Sequence, residues 1–208
     1  MMAQLAISET ITTISEAEKR LGLSRAELAD FFTEWVSSLP DISQTDQVNL
    51  ETLWNRYLYH RSEGHLLEST VMLLLVSPLL TVAGFYDPPF RIKAEESVRL
   101  TVSDSEDVLQ GRIDVLILLD RLWVMVLESK KTMLSVWSAV PQALAYLQAN
   151  PELNRPTFGM LTNGDDILFI KIQDNHYAFS RVFSPLFSQS DLSLALQVLR
   201  RISRVVQF

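Results

Sequence analysis

Two adjacent and almost wholly apolar runs in the middle of the chain constrain its fold most. Residues 112–119 and 122–130 are each long enough for a β-strand, and only Asp120 and Arg121 separate them. A strand without a polar face has to be covered on both sides, so we expect these two at the centre of a sheet. Stretches with helical apolar spacing lie before and after them and can supply the covering layers. The sequence therefore predicts a sheet between layers of helices.

Apolar periodicity and turn residues predict the other elements. In the first half, two helices are expected within residues 1–40, joined at Gly22, and the second starts from a capping box at Ser24 and Glu27. They are followed by helices at about 49–59 and 62–78 and by a strand at 90–102. In the second half the elements are a helix at about 135–148, a hairpin at 158–162 and 167–172, and an amphipathic helix from about residue 191. We place a helical extension at residues 1–60 and one compact unit at residues 61–208.

The charge of the chain is unevenly distributed. The 208 residues carry a formal net charge of −7, which argues against a basic protein that coats DNA. Residues 1–110 hold 17 Asp and Glu against 8 Lys and Arg, so the acidity belongs to the front half. The chain has no cysteine, which excludes disulfides, a thiolate nucleophile and Cys-ligated zinc.

No segment is predicted to direct the chain to a membrane. The N-terminus lacks a basic region followed by an apolar run, so no secretory signal is expected. The most apolar stretch, residues 71–83, is shorter than the ~20 residues that a membrane span needs. We therefore expect a cytoplasmic protein without a membrane partner.

Charged residues interrupt the two central strands. Asp114 lies inside the first, and Glu128 and Lys130 lie near the end of the second, two positions apart and hence on one face. Carboxylates that converge in this way suit Mg²⁺ or Mn²⁺, and a neighbouring lysine can orient water and stabilise charge on a phosphate. The alternative is a salt-bridged sheet end without chemistry, in which Glu128 pairs with Arg112 and Asp114 with Lys130.

The metal-site hypothesis makes a demand on the pairing of the two strands. A tight two-residue turn at 120–121 would set Asp114 opposite Leu127, pointing away from Glu128. An odd-length loop or a β-bulge would bring Asp114 opposite Val126 or Glu128 instead. The hypothesis therefore fails if the carboxylates lie on opposite faces of the sheet.

Five short segments occur in the order found in one nuclease family. They are Glu68 on a helix that leads to Ser77–Leu80 and Gly84; Gly111–Asp114; Leu127–Lys130; Gln142 with Tyr146 in a QxxxY pattern; and Phe158–Gly164, which ends in Thr-Asn-Gly. Together they resemble the PD-(D/E)xK nuclease superfamily, and more closely the nuclease domain at the N-terminus of type I restriction enzyme R subunits. The resemblance covers about residues 62–172, and Ile113 stands where the superfamily name has proline.

The resemblance implies an α/β fold with a restriction-endonuclease-like αβββαβ core and a mixed central sheet flanked by helices. It implies Glu68, Asp114 and Glu128 around Mg²⁺ or Mn²⁺, with Lys130 at the nucleophilic water. Glu63 competes with Glu68 for the helix carboxylate, and we prefer Glu68 because it lies deeper in the apolar run.

The resemblance also assigns a role to Gln142 and Tyr146. These residues are one helical turn apart on one face of a helix. By resemblance they would support the active site or touch the nucleic-acid backbone. The alternative is a helix face that packs on the sheet.

The leading hypothesis is a Mg²⁺-dependent endonuclease that acts on DNA, with a restriction or repair role. Because 208 residues leave no room for a helicase motor, we expect a stand-alone nuclease-like domain. The alternative is a catalytically silent nuclease fold that binds nucleic acid or protein, with a homodimer contact through its aromatic-rich N-terminal helices. A weaker alternative is a DNA-reading helix-turn-helix at Gly22, against which the acidity of this region counts.

Overall fold

The fold is described by a computed structural model over residues 4–101, 108–119, 122–129, 131–152 and 154–207. The helices are α1 (Ile7–Thr10), α2 (Ile14–Leu21), α3 (Gln44–Ser62), α4 (Glu68–Val71), α5 (Ser77–Ala83), α6 (Val140–Gln148) and α7 (Gln189–Val206), with a π-helical segment at Met72–Val76 and a 3₁₀ turn at Val136–Ala139. The strands are β1 (Gln4–Ala6), β2 (Ser24–Arg25), β3 (Phe90–Thr101), β4 (Val108–Leu119), β5 (Leu122–Ser129), β6 (Thr157–Thr162), β7 (Ile167–Gln173) and β8 (His176–Phe183).

These strands form one mixed sheet with helices on both faces, which confirms the predicted α/β fold. The sheet runs β1-β4-β5-β6-β7-β8-β2, and β3 also pairs with β4. The central order α5-β3-β4-β5-α6-β6 is the expected αβββαβ arrangement. Since β5 and β6 are parallel, α6 serves as the crossover between them.

Two apolar cores lie on opposite faces of the sheet. One face is covered by α3, α5 and α7, with Leu50, Leu80 and Leu196 among its buried side chains. The other is covered by α2 and α6, with Ala17 and Leu144 among its buried side chains. The predicted apolar face of the C-terminal helix is buried as expected.

The prediction of two helices within residues 1–40 is half wrong. The first forms as α2 and ends at Gly22, whose φ of 66° is the left-handed conformation that glycine adopts readily. The second does not form, because the backbone from Ser24 bonds to β8 instead: the Ser24 amide donates to the Asn175 carbonyl (3.0 Å). Further along this segment, the Lys171 ammonium donates a hydrogen bond to the Phe31 carbonyl (2.8 Å). The helix-turn-helix hypothesis is therefore wrong.

The first 60 residues also contribute strands, not only helices. β1 pairs in parallel with β4, and β2 pairs in parallel with β8. This segment thus joins the same sheet as the rest of the chain. A domain boundary near residue 60, and a homodimer through this segment, stay predictions.

The helix expected to end near Pro78 passes through that residue. Helix starts at Glu68, widens into a π-helical segment at Met72–Val76 and continues to Ala83. Proline lacks an amide proton and clashes with the preceding turn of an α-helix. A wider π turn before the proline relieves this conflict, so the helix does not break.

Strand β8 was missed by sequence reasoning. It pairs with β7 in an antiparallel hairpin whose turn, Asp174 and Asn175, has φ angles of 50° and 61°. Asp and Asn tolerate this left-handed conformation, which two-residue hairpins of the primed type require. The signal was present in the sequence as two polar residues between apolar runs.

The side chain of Tyr146 substitutes for a missing neighbour of β4. Because β3 pairs with β4 over 108–119, β1 and β5 share its other edge, β1 at 108–110 and β5 at 115–119. In the gap between them the Tyr146 hydroxyl accepts from the Arg112 amide (3.2 Å) and from Gln142 Nε2 (2.7 Å). Gly111 makes the approach possible, since a Cβ there would lie 2.6 Å from Tyr146 Cε1.

We predict that Tyr146→Phe destabilises the protein and exposes this stretch of β4. Loss of the hydroxyl leaves the Arg112 amide without its acceptor, which costs about 1–3 kcal/mol of unfolding free energy. Urea titration measures the loss, and hydrogen exchange should accelerate at Arg112. Tyr177→Phe is the matched control, because Tyr177 is equally buried and its hydroxyl donates to Glu18 (2.7 Å) away from this gap. Equal exchange at Arg112 in both variants would contradict the assignment.

An ion pair between Asp46 and Arg200 joins helix α3 to helix α7. The Arg200 guanidinium donates to both Asp46 oxygens (2.7 Å each) and to the Val82 carbonyl (3.0 Å). These bonds hold the pKa of the Asp46 carboxyl well below its ordinary value. Asp46 also accepts from the Ser43 amide (3.0 Å), so it caps α3 as well. Arg200 is thus a structural residue of the core.

We predict that this pair stabilises the fold in a pH-dependent way. A carboxyl with a lowered folded-state pKa stabilises above its unfolded pKa, about 3.9, and the stabilisation is lost as the pH falls through the folded value. Asp46→Asn should lower the unfolding free energy by roughly 2 kcal/mol at pH 7, since a charge-assisted bond is removed. The difference in unfolding free energy between Asp46→Asn and wild type should become smaller below about pH 4. Glu51→Gln, an exposed change on the same helix, is the control, and a pH-independent difference would refute the linkage.

Candidate functional site

A pocket of about 640 Å³ opens beside the gap in β4. Five of the six site residues that the sequence predicts line it: Glu68, Asp114, Glu128, Gln142 and Tyr146. Lys130, the sixth, lies outside the described residues. The structure thus brings together side chains from α4, β4, β5 and α6, which are up to 78 positions apart in the chain.

The pairing of β4 with β5 contains the shift that the metal-site hypothesis requires. Next to the turn, the pairs follow the register of a tight two-residue connection, and halfway along β4 the register slips by one residue. Beyond the slip the register ends with Val115 paired to Leu127, and continued by one position it would set Asp114 opposite Glu128. Both carboxylates line the same pocket. Residues directly opposite on an antiparallel pair project to one face. Of the registers considered from the sequence, the bulged one is present.

Asp114 itself lies at an irregularity of the sheet. Ile113 and Leu116 belong to the same core cluster although they are three positions apart, so the alternation of faces is interrupted between them. On the other side, the register of β3 sets Glu95 opposite Asp114, and Glu95 has a φ of 55°. Ile113 and Leu116 thus both face the core of α6, while Val115 faces the opposite core.

Glu68 is placed by the loop that follows β5. The Leu66 amide donates to Thr132 Oγ1 (3.0 Å), and the Thr132 amide donates to the Leu66 carbonyl (3.3 Å). This reciprocal pair ties the start of α4 to the chain just beyond Glu128. Glu63, the competing carboxylate, is exposed at the C-terminal end of α3 and does not line the pocket.

The Thr-Asn-Gly segment after β6 supports the same loop. Thr162 Oγ1 accepts from the Gly164 amide (2.9 Å) and donates to the Asp166 carbonyl (2.7 Å), which closes the turn. Asn163 Nδ2 donates to the Leu134 carbonyl (2.7 Å), which connects this turn to the loop after β5. The motif therefore has a structural role at this site.

One half of the salt-bridge alternative, Glu128 with Arg112, is not formed. Arg112, proposed there as the partner of Glu128, instead pairs with Glu95 across β3 and β4, with 3.4 Å between Nη1 and Oε2. Glu128 is buried, with 3 % of its surface exposed. The other half of that alternative, Asp114 with Lys130, involves a residue outside the described part of the chain.

Tyr146 and Gln142 form the wall of the pocket. Tyr146 is 2 % exposed, and its hydroxyl is occupied by the bonds to Arg112 and Gln142 described above. Its ring therefore packs on the sheet, while the hydroxyl positions β4. The packing expected of Tyr146 from the sequence agrees with this burial, and its support of an active site stays a prediction.

Sequence reasoning missed the N-terminal contribution to the pocket. Leu5, Ala6 and Ser8, from β1 and the start of α1, line the wall next to the gap in β4. A three-residue strand is too short to leave a periodic signal in the sequence. Arg112 was considered only as an ion-pair partner, although it also lines the pocket.

The side chains of the pocket that could bind a metal ion do so through oxygen atoms, mainly the carboxylates of Glu68, Asp114 and Glu128. Carboxylates are the ligands that Mg²⁺ and Mn²⁺ prefer. Within the described ranges, however, no three His, Cys, Asp or Glu side chains come close enough together to hold one ion. Mg²⁺ is commonly bound by one or two carboxylates and retains several waters, so the pocket fits such an ion without a third carboxylate.

A solved structure similar to this chain is a fragment assigned as an HsdR subunit of a type I restriction enzyme from Vibrio vulnificus YJ016. The identity is 21 % and the TM-score 0.43, and the match covers 62 % of this chain but only 25 % of that chain. No curated protein matches. Among the described residues, no helix has the length and apolar character needed to cross a membrane.

A family model described as the type I restriction enzyme R protein N terminus matches residues 32–177. This range contains Glu68, Asp114, Glu128, Gln142 and Tyr146. Because it covers well over half of the 208 residues, the chain belongs to the type I restriction enzyme R protein N-terminus family.

Proposed function

We propose that the chain is a divalent-metal-dependent nuclease that hydrolyses DNA phosphodiester bonds in a restriction- or repair-type role. The observation that carries this proposal is the pocket that Asp114, Glu128 and Glu68 line together, next to the register slip between β4 and β5. Membership of a restriction-enzyme family supports DNA as the substrate.

Mg²⁺ or Mn²⁺ would be held by Asp114 and Glu128, in the pocket that Glu68 also lines. When bound, such an ion supplies Lewis acidity toward a phosphate and lowers the pKa of water. Glu128 is buried, with 3 % of its surface exposed, and it lines the same pocket as Asp114 and Glu68.

The protein side chains supply position and proton handling in this proposal. Lys130 follows Glu128 by two residues, so in a continuing strand it would project to the same face and orient the attacking water. Gln142 and Tyr146 act indirectly: the bond from the Arg112 amide to the Tyr146 hydroxyl fixes the part of β4 that carries Asp114. We therefore assign Tyr146 to positioning and not to contact with DNA.

One observation favours a second candidate, a catalytically silent nuclease fold that binds nucleic acid or protein. Among the described residues no three-ligand metal cluster is assembled. The two candidates differ in what a divalent ion does: the nuclease binds it in the pocket at millimolar concentration, and the silent fold does not.

We predict that Asp114→Asn and Glu128→Gln each lower Mg²⁺-dependent DNA cleavage by about 10²-fold or more, because each removes a charge that stabilises the reacting phosphate. Nicking of supercoiled plasmid measures cleavage, and calorimetry with Mn²⁺ measures binding. Glu63→Gln is the matched control, since it removes a carboxylate near α4 that does not line the pocket. Urea titration of every variant verifies that the fold survives.

Lys130→Gln separates metal binding from catalysis. It should retain Mn²⁺ binding and lose cleavage, because lysine acts on water and not on the ion. Unchanged cleavage by this variant would contradict the role given to Lys130. Absence of both Mn²⁺ binding and cleavage in the wild-type protein would favour the silent fold.

A further inference from the structure

Resting on the proposed function, we propose that Arg112 binds a phosphate of the DNA backbone at the mouth of the pocket, and that Glu95 is the counter-ion it leaves when DNA arrives. The pocket is lined by three carboxylates and, among the described residues, by a single cation, which is Arg112. A phosphodiester is an anion, so a site of this composition needs a positive group to admit it.

The backbone of Arg112 is held by hydrogen bonds, whereas its side chain is largely exposed to solvent. Its amide donates to the buried Tyr146 hydroxyl (3.2 Å), and on the other edge Arg112 pairs with Ser97 of β3. The side chain is 65 % exposed. A rigid attachment with an exposed guanidinium is the arrangement expected of a group that meets a ligand from solvent.

The ion pair of Arg112 is easily exchanged. Its Nη1 lies 3.4 Å from Glu95 Oε2, at the long end of hydrogen-bond distances, and the Glu95 side chain is 69 % exposed. Exposed pairs of this kind contribute little to stability. Arg200 differs: it makes two bonds of 2.7 Å to Asp46 and is 24 % exposed, so it belongs to the core.

The guanidinium chemistry suits the ligand. A planar guanidinium can donate two parallel hydrogen bonds to two oxygens of one phosphate. The single contact of 3.4 Å between Arg112 and Glu95 does not use this capacity. Arg112 and Asp114 line the same pocket, so a phosphate on the guanidinium would lie close to the proposed metal position. The contact would therefore align the DNA strand for cleavage.

The salt dependence of DNA binding tests the assignment. Binding of a fluorescent DNA duplex is measured by anisotropy from about 50 to 200 mM NaCl with Ca²⁺ in place of Mg²⁺. Each phosphate contact contributes about 0.9 to the slope of log K against log salt concentration. Arg112→Gln should reduce the slope by about 1. Arg112→Lys should keep the slope, because it keeps the charge.

Two further variants complete the design. Arg91→Gln removes an exposed arginine from β3 that does not line the pocket, so its slope should equal that of wild type. Glu95→Gln removes the competing counter-ion, so it should bind DNA more tightly than wild type. Wild-type binding with an unchanged slope in Arg112→Gln would overturn the role of Arg112 and leave the proposed function standing. Failure of the wild-type protein to bind DNA would overturn both.

Discussion

The register between β4 and β5 is the constraint on which the candidate site depends. Side chains of a strand alternate between faces with a period of two, so a regular hairpin on a tight turn would have sent Asp114 and Glu128 to opposite sides of the sheet. One unpaired position in β5, residue 124, shifts the pairing as far as Val115 with Leu127, and this register continued by one position would set them opposite each other. A β-bulge disrupts some of the hydrogen bonds between the two strands, and such bulges are common next to functional sites. Two carboxylates that are 14 residues apart in the chain thus line one pocket beside the bulge.

The surroundings of the pocket hold this geometry from two directions. On one side, Tyr146 replaces a missing strand next to β4, which needs both its hydroxyl and the absent Cβ of Gly111. On the other side, Asn163 and Thr132 connect the loop after β5 to its neighbours. Every one of these contacts joins distant parts of the sequence. The site is therefore stable only as a property of the whole sheet with its covering helices.

Sequence patterns predicted the features that depend on local periodicity. The central strands, the Asn-Gly hairpin and the apolar face of α7 were expected and are present, because each leaves an apolar pattern in its own segment. The bulge could only be stated as one of several registers, since its position depends on the packing of both strands. Strands β1 and β2 have two or three residues and form through pairing with distant strands, so no local pattern marks them. Pro78 misled the prediction because π-helical widening depends on the preceding turn.

The uneven charge of the chain has a structural explanation that its net value conceals. Acidic residues of the front half meet basic residues of the back half within the fold: Glu34 pairs with Lys171 (2.8 Å) and Asp46 with Arg200 (2.7 Å), and all four side chains are largely buried. Buried pairs fix which segments come together, because breaking one leaves an uncompensated charge. Part of the acidity is thus used inside the protein and is not available to repel DNA. What a nucleic acid would meet is the local charge of the pocket, which three carboxylates and Arg112 line. The formal charge of −7 therefore says little about whether this surface accepts a phosphate.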